Sequence, residues 1–559
     1  YWIRKSSTLG IYVMSGGIMQ LVAYGAQDIY LTSNPQITFF KAVYRRYTNF
    51  AIEGIEHQFI GVPAFGKRLA AKITRNGDLV SKIYLRVILS SVDPVNSNFA
   101  WVRRLGHAMI REVNVEIGGS VIDTQYGTWL DIWYELARQG DHESAYAKMI
   151  GDVPKLTDYN KVVKGEYIMY IPLQFWFNKF VGTAIPLIAL QYHDMYINIE
   201  FEPVEKLIVR DCTFDINLAQ IKNATLLVNY VFLDTEERRR FALVGHEYLI
   251  EQVQFNGIER VLTSPTKYKL DFNHPTKEII WAMKNGNYIT GKRFVYYTNS
   301  DIWSVKDAAC VIINKSISVG TDPRPGLISI EEKNLWFEVN PDQIITIGTF
   351  NINNKFSQSV FVNPDSLKIN LSNNIIYGIT NKINSDITIE VDGTITCHNI
   401  ETVLTVRDLS VPLELMIDTR YGVCDPMVNL FSNYGTLIDG SINPVQTALL
   451  QMNGHDRFDQ REGAYFNYVQ PEQHHENTPK DGINVYSFAL YPEQHQPSGT
   501  ANLSRIESTD LTIDFADVTF IDGWPSLNFF NNDNQLYIFG LNYNILRIMA
   551  GMSGLAISG

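Results

Sequence analysis

Cysteine is scarce in this 559-residue chain: Cys212, Cys310, Cys397 and Cys424 lie far apart and form no CxxC pair. That spacing excludes a disulfide framework and points to a reducing compartment. Basic residues are also in deficit. Forty-seven Lys and Arg against 59 Asp and Glu leave a formal net charge of −12. Binding by counterion release needs a basic face, so no direct nucleic acid binding is expected. No apolar run is long enough to span a bilayer, which takes about 20 residues. Leu536 to Ile557 comes nearest, but Asn542, Asn544 and Arg547 break it, so it reads as a last core strand and a tail. Leu9 to Val13 is too short for a signal peptide and Gly16-Gly17 interrupts it. Residues 1–13, ahead of Met14, are expected to be upstream read-through with no role in the fold.

Catalytic signatures are missing too. There is no GxSxG, no Walker loop, and no GxGxxG between a strand and a helix. The one local gathering of histidines is His474-His475 with His455, Glu472 and His495. Neighbouring residues of an extended segment point to opposite sides, and no third ligand stands at metal spacing. Loop histidines satisfied by nearby backbone are therefore the better reading, and no metal or cofactor is expected. Asp456, Asp459 and Glu462 sit beside Arg457 and Arg461, which reads as structural pairing and not as the carboxylate pair of a glycosidase. The chain is not expected to be an enzyme.

What is present is sheet-forming material. Charged residues make up 19%, below the usual quarter, while aromatics reach 12%. This composition suits large buried sheet surfaces, and the length suits two to four domains. Ile37 to Phe50, entered by a turn at Ser33-Asn34-Pro35, carries alternating aromatics and reads as a strand covered on both faces. Leu79 to Leu89 and Ala108 to Glu116 are further strands. Ile117-Gly118-Gly119-Ser120 is a hairpin turn. Thr128 to Leu136 places Trp129, Leu130, Ile132, Trp133 and Leu136 at helical spacing and is expected to cap one end of a sandwich. Tyr167 to Phe177 contains Pro172, the mark of an edge strand or a bulge. Ile185 to Phe201 and Ala224 to Leu233 complete about eight strands with one good helix, an antiparallel sandwich.

Asp234 to Phe241 is a dense charge run. It reads as a linker whose arginines, Arg238, Arg239 and Arg240, pair with Asp234, Glu236 and Glu237. Beyond it the plan repeats: Glu247 to Phe255, a turn at Asn273-His274-Pro275 before Glu278 to Met283, and a hairpin at Asn453-Gly454. Ile483 to Leu490, Thr500 to Phe515 and Gln535 to Ile548 close the set.

The literal strings go further. GGIMQLVAYGAQDIYLTSNPQITFFKAVYRRYTNF, LGHAMIREVNVEIGG, WLDIWYEL, IPLIALQYHDMYINI and LDTEERRRFALVGHEYLIEQ resemble signatures of major capsid proteins of nucleocytoplasmic large DNA viruses, nearest the mimivirus-like branch. Asn453 to Glu507 and NYNILRIMAGMSGLA (Asn542 to Ala556) resemble the later signatures of that family. The resemblance implies an all-β double jelly roll: an arm over 1–25, a first jelly roll over 26–235, a linker over 236–246 and a second jelly roll over 247–559. It fails over Asn287 to Leu404, an Asn-, Ile-, Thr- and Ser-rich stretch that reads as a β-rich insertion in the second jelly roll.

The function implied is that of a structural major capsid protein of a large icosahedral DNA virus, assembling as pseudo-hexagonal homotrimeric capsomers. Partners implied are copies of itself, neighbouring capsomers and minor capsid proteins, with host surface contact through the insertion. Its place would be the virion capsid, after synthesis and assembly in the host cytoplasm. A minor capsid or scaffold paralogue and a carbohydrate-binding β-sandwich protein are the alternatives. Sequons occur at Asn223, Asn314, Asn370 and Asn502; Asn314 and Asn370, in the insertion, are the glycosylation candidates.

Overall fold

The computed structural model describes residues 16–286, 431–436, 442–515 and 534–557, apart from positions 24, 43, 96, 98, 139, 159–160 and 211–213. It also gives the backbone of short strands between 328 and 417. Two units are separable, Tyr1–Asn49 and Phe50–Gly559.

The first unit holds two short helices, α1 (Gly16–Val22) and α2 (Ile29–Thr32). Asp28 closes the turn between them, its Oδ2 accepting from the Gly25 amide at 2.7 Å. From 33 to 49 the described residues form neither helix nor strand. The strand expected over Ile37 to Phe50 therefore starts only at its last residue. A sheet-like pattern becomes a strand when partners cover its faces, and here Ile37, Phe39, Phe40, Tyr44 and Tyr47 are exposed.

Besides three short strands of two or three residues, the first half of the second unit is built on β1 (Phe50–Gln58), β2 (Arg68–Ile73), β3 (Leu79–Leu89), β4 (Ile110–Ile117), β5 (Ser120–Tyr126), β6 (Tyr167–Pro172), β7 (Met195–Phe201) and β8 (Ile221–Leu233). One sheet runs β1–β8–β3–β6 and its partner β2–β7–β4–β5, every pairing antiparallel. Ile83, Leu85, Val87 and Leu89 alternate into the core along β3. Gly118 and Gly119, at φ 61° and 83°, close the β4–β5 hairpin with the left-handed pair that a two-residue turn requires. Pro172 ends β6 at the sheet edge, as its missing N–H demands.

Helix α3 (Gly127–Ala137) follows β5, and α4 (Thr235–Leu243) follows β8. The charge run is thus a helix capped by Asp234. Arg238 pairs with Asp78 (3.0 Å) and not with the local acids, while Asp234 accepts from the Thr235 amide at the helix start.

Eight more segments then repeat the plan: β9 (His246–Arg260), β10 (Thr266–Lys269), β11 (Pro275–Lys284), β12 (Val445–Met452), β13 (split into His455–Asp456 and Arg461–Glu462), β14 (Ile483–Ser487), β15 (Thr509–Phe515) and β16 (Gln535–Met549). Their sheets run β9–β16–β11–β14 and β10–β15–β12–β13. Adding eight to each strand of the first sandwich reproduces the main order of the second, so both are jelly rolls of one design. A final strand, β17 (Met552–Leu555), folds back on β16.

Candidate functional site at the seam between the sandwiches

Strand β11 has the sequence PTKEIIWAMK, and from Thr276 onward every residue is buried. Strand alternation divides it between two surfaces. Ile279, Trp281 and Met283 enter the core of the second sandwich. Ile280 and Ala282 join the larger core that belongs mainly to the first sandwich. The sheet β9–β16–β11–β14 is therefore covered on both faces, one of them by the first sandwich. Helix α3 does not cap a free end as expected. It lies in this seam, with Trp129 at 5.4 Å from Phe539 of β16 and stacked on Trp133 at 5.6 Å.

The seam also holds buried charge. Arg104, in the left-handed region at φ 50°, binds Asp131 of α3 at 2.8 Å and also Glu135. His107 bridges Asp131 (3.3 Å) and the Tyr146 hydroxyl (2.8 Å). From the other sandwich, the Tyr434 hydroxyl donates to Asp131 at 2.8 Å and Lys480 approaches Glu135 at 3.6 Å. Burial pushes the Asp131 carboxyl up, but Arg104 and His107 outweigh it and hold the group well below the usual carboxylate range.

A second cluster centres on Glu251 of β9, which binds Lys277 of β11 at 2.6 Å and Lys179 of the first sandwich at 3.4 Å. Burial opposes its charge; the two lysines outweigh that and lower its pKa. Lys179 lies 3.8 Å from the Trp133 ring centroid, a desolvated cation–π contact. Beside it, Asp123 of β5 accepts from the Val253 amide of β9 at 2.9 Å, and burial pushes its carboxyl up to about 7. Lys284 donates to Thr128 of α3 at 3.1 Å and faces the rings of Phe431, Tyr434 and Tyr537; burial lowers it to about 8.

These contacts join the two jelly rolls into one body. Breaking a buried pair strands a charge at about 3–5 kcal/mol, so the relative placement of the lobes is strongly specified. Chemically the seam is a lock: each of these groups is engaged by a neighbouring residue and none faces a cleft as a lone nucleophile.

The residues singled out in the sequence fall as follows. His475 is not satisfied by backbone. It is buried between Glu278 (3.0 Å) and Glu493 (2.8 Å), and although burial alone would lower its pKa, the carboxylates raise it to about 9. His474 does meet backbone, the Leu490 carbonyl at 3.1 Å. Among the described residues no group of three His, Cys, Asp or Glu side chains is placed so that it could hold a metal ion. Arg457 and Arg461 do not pair with Asp456, Asp459 or Glu462; they lie over the rings of Tyr486 and Tyr465. Asn314 lies outside the described residues, and of Asn370 only the backbone, ending the strand Lys368–Asn370, is described. The buried Lys277, Glu278 and Lys284 had a signal in the sequence: charges inside an otherwise apolar run, on a strand that had to be covered twice.

Residues 38–234 match the family described as major capsid protein N-terminus, and residues 237–554 match large eukaryotic DNA virus major capsid protein. Capsid protein 1 of Acanthamoeba polyphaga mimivirus is 42% identical, covering 98% of this chain and all of that protein. The major capsid protein of Phaeocystis pouchetii virus is 38% identical with the same coverage. Among solved structures, a quasi-atomic model of the PBCV-1 virus capsid superposes with a TM-score of 0.61 at 28% identity, covering 93% of this chain and 100% of that one. The Faustovirus major capsid protein shares the fold, with a TM-score of 0.57 at 12% identity over 96% of this chain and 97% of that one.

Proposed function

The chain belongs to the large eukaryotic DNA virus major capsid proteins, and we propose that it builds the shell as a homotrimer of pseudo-hexagonal outline. It is a double jelly-roll structural protein of the virion capsid and not an enzyme. The observation that carries the trimer reading is the repeated strand order locked by a charged, buried seam. Two like lobes held as one body, taken three times about an axis, present six similar lobes and tile a facet. A closed three-fold ring also leaves no open heterologous surface to grow filaments. Obligate interfaces of this kind bury about 2,000–5,000 Å².

Within this reading, the jelly rolls on either side of α4 are the two lobes, and the insertion at about 287–404 faces outward, where contact with a host surface and glycans at Asn314 and Asn370 belong. Neighbouring capsomers and minor capsid proteins are the further partners, and assembly takes place in the host cytoplasm. Native mass measurement with negative-stain imaging tests the core of it. The expected species is three 63.7 kDa chains with a hexagonal outline; a stable monomer at high concentration overturns it.

A further inference from the structure

We propose that residues 37–56 form an inter-subunit strap whose cover is a second copy of this chain. The inference takes its partner from the trimer reading.

Four observations meet on this segment. The alternation of Phe39, Lys41, Val43, Arg45 and Tyr47 with Thr38, Phe40, Ala42, Tyr44 and Arg46 is that of a strand covered on both faces. In the first unit, taken by itself, Phe39, Phe40, Tyr44 and Tyr47 are 90%, 98%, 91% and 83% exposed. The exposure continues into β1, where Phe50 to Gly54 are exposed on both faces of the strand. Strand β1 lies at its sheet edge and, among the described residues, pairs only with β8, so its outer N–H and C=O groups face away from the ladder. Glu53 and Glu56 interrupt its apolar residues, and an open edge strand of this kind is a template for pairing between chains.

Charge selects the occupant. No acid occurs between Asp28 and Glu53, while Lys41, Arg45 and Arg46 do. Residues 1–49 carry five basic residues against one acid, a net +4, which leaves −16 on the rest of the −12 chain. Residues 37–56 themselves carry Lys41, Arg45 and Arg46 against Glu53 and Glu56, with the three cations gathered among the aromatics ahead of β1, so every copy presents a locally cationic, aromatic stretch and an acidic body. Complementary charge of this sort steers association and fixes register. The twenty residues span up to about 70 Å when extended, enough to cross onto a neighbour. A lipid surface would satisfy the aromatics and the charge but offers no backbone ladder to the open edge of β1.

The test uses the full chain and two variants, Phe39→Ser/Phe40→Ser/Tyr44→Ser and Lys41→Glu/Arg45→Glu/Arg46→Glu, with a photo-cross-linking phenylalanine analogue at position 40 in a third. Both variants should keep the monomer's thermal midpoint, since the altered side chains are exposed. Association measured by sedimentation should weaken at least about tenfold, as loss of aromatic anchors at an interface does. The cross-link should join two chains. A trimer unaffected by either variant overturns the strap and leaves the trimer reading standing. Weakened association of an oligomer other than three supports the strap and overturns the trimer. A wild-type monomer overturns both. Unaffected assembly together with variant-sensitive flotation on phosphatidylserine vesicles assigns the segment to a membrane and overturns the strap.

Discussion

Asp123 is one residue at which the lock between the lobes responds to pH near neutrality. Its carboxyl titrates near 7 in the folded chain, against about 3.9 in an unfolded one, because burial disfavours its charge. Stability from this group is fully present below the unfolded value, falls as pH rises from about 4 to 7, and is constant above. Asp123→Asn keeps an acceptor for the Val253 amide and removes the titration. Urea unfolding of the variant should therefore match the wild type near pH 4 and exceed it at pH 8. The gap is on the order of 1.4 kcal/mol per unit of pKa displacement. A gap that does not change with pH would refute the assignment. Sequence pattern showed none of this. The alternation of β5 tells which side Asp123 takes, but not that β9 of the other lobe lies there. His475 was misread for the same reason, its two carboxylates arriving from other parts of the chain.

Elements whose cause is local were legible almost residue by residue. The β4–β5 hairpin is one, since two left-handed positions in a row admit glycine and little else. The two glycines differ in surroundings. A Cβ on Gly119 meets nothing within 4 Å, whereas one on Gly118 falls 2.2 Å from Nδ1 of His193. Gly119→Ala should cost about 1–2 kcal/mol, the left-handed penalty alone. Gly118→Ala should cost clearly more by chemical denaturation, because His193 also accepts from the Ser553 amide and cannot withdraw without releasing β17. Equal costs would contradict this. The strand expected over Ile37 to Phe50 fails on the opposite ground. Its pattern is sound, but a strand needs a partner, and among the described residues none pairs with 37–49.

At the scale of the whole molecule, the second jelly roll continues past a long segment between β11 and β12. Its two ends meet in a buried neck. Lys284 lies 4.1 Å from the Phe431 ring centroid, and Lys284 and Tyr434 are tied to Thr128 and Asp131 of α3. The neck belongs to the seam, so the segment between its ends can be exchanged without opening the lobes. Replacing residues 287–430 by a Gly/Ser linker of about six residues should leave a folded protein, its thermal midpoint within a few degrees of wild type. Loss of cooperative unfolding in that variant would show that the segment contributes to the core.

Taken alone, the amino-acid sequence determined most of the strands and turns, the doubling of the plan and the family, because alternation, glycine pairs and signature strings act over a few residues at a time. The tertiary structure decided which faces are covered twice, which charges meet inside the seam and which aromatics are left uncovered. Those outcomes depend on what stands opposite a residue in space, and the partners come from elements tens to hundreds of residues apart in the chain.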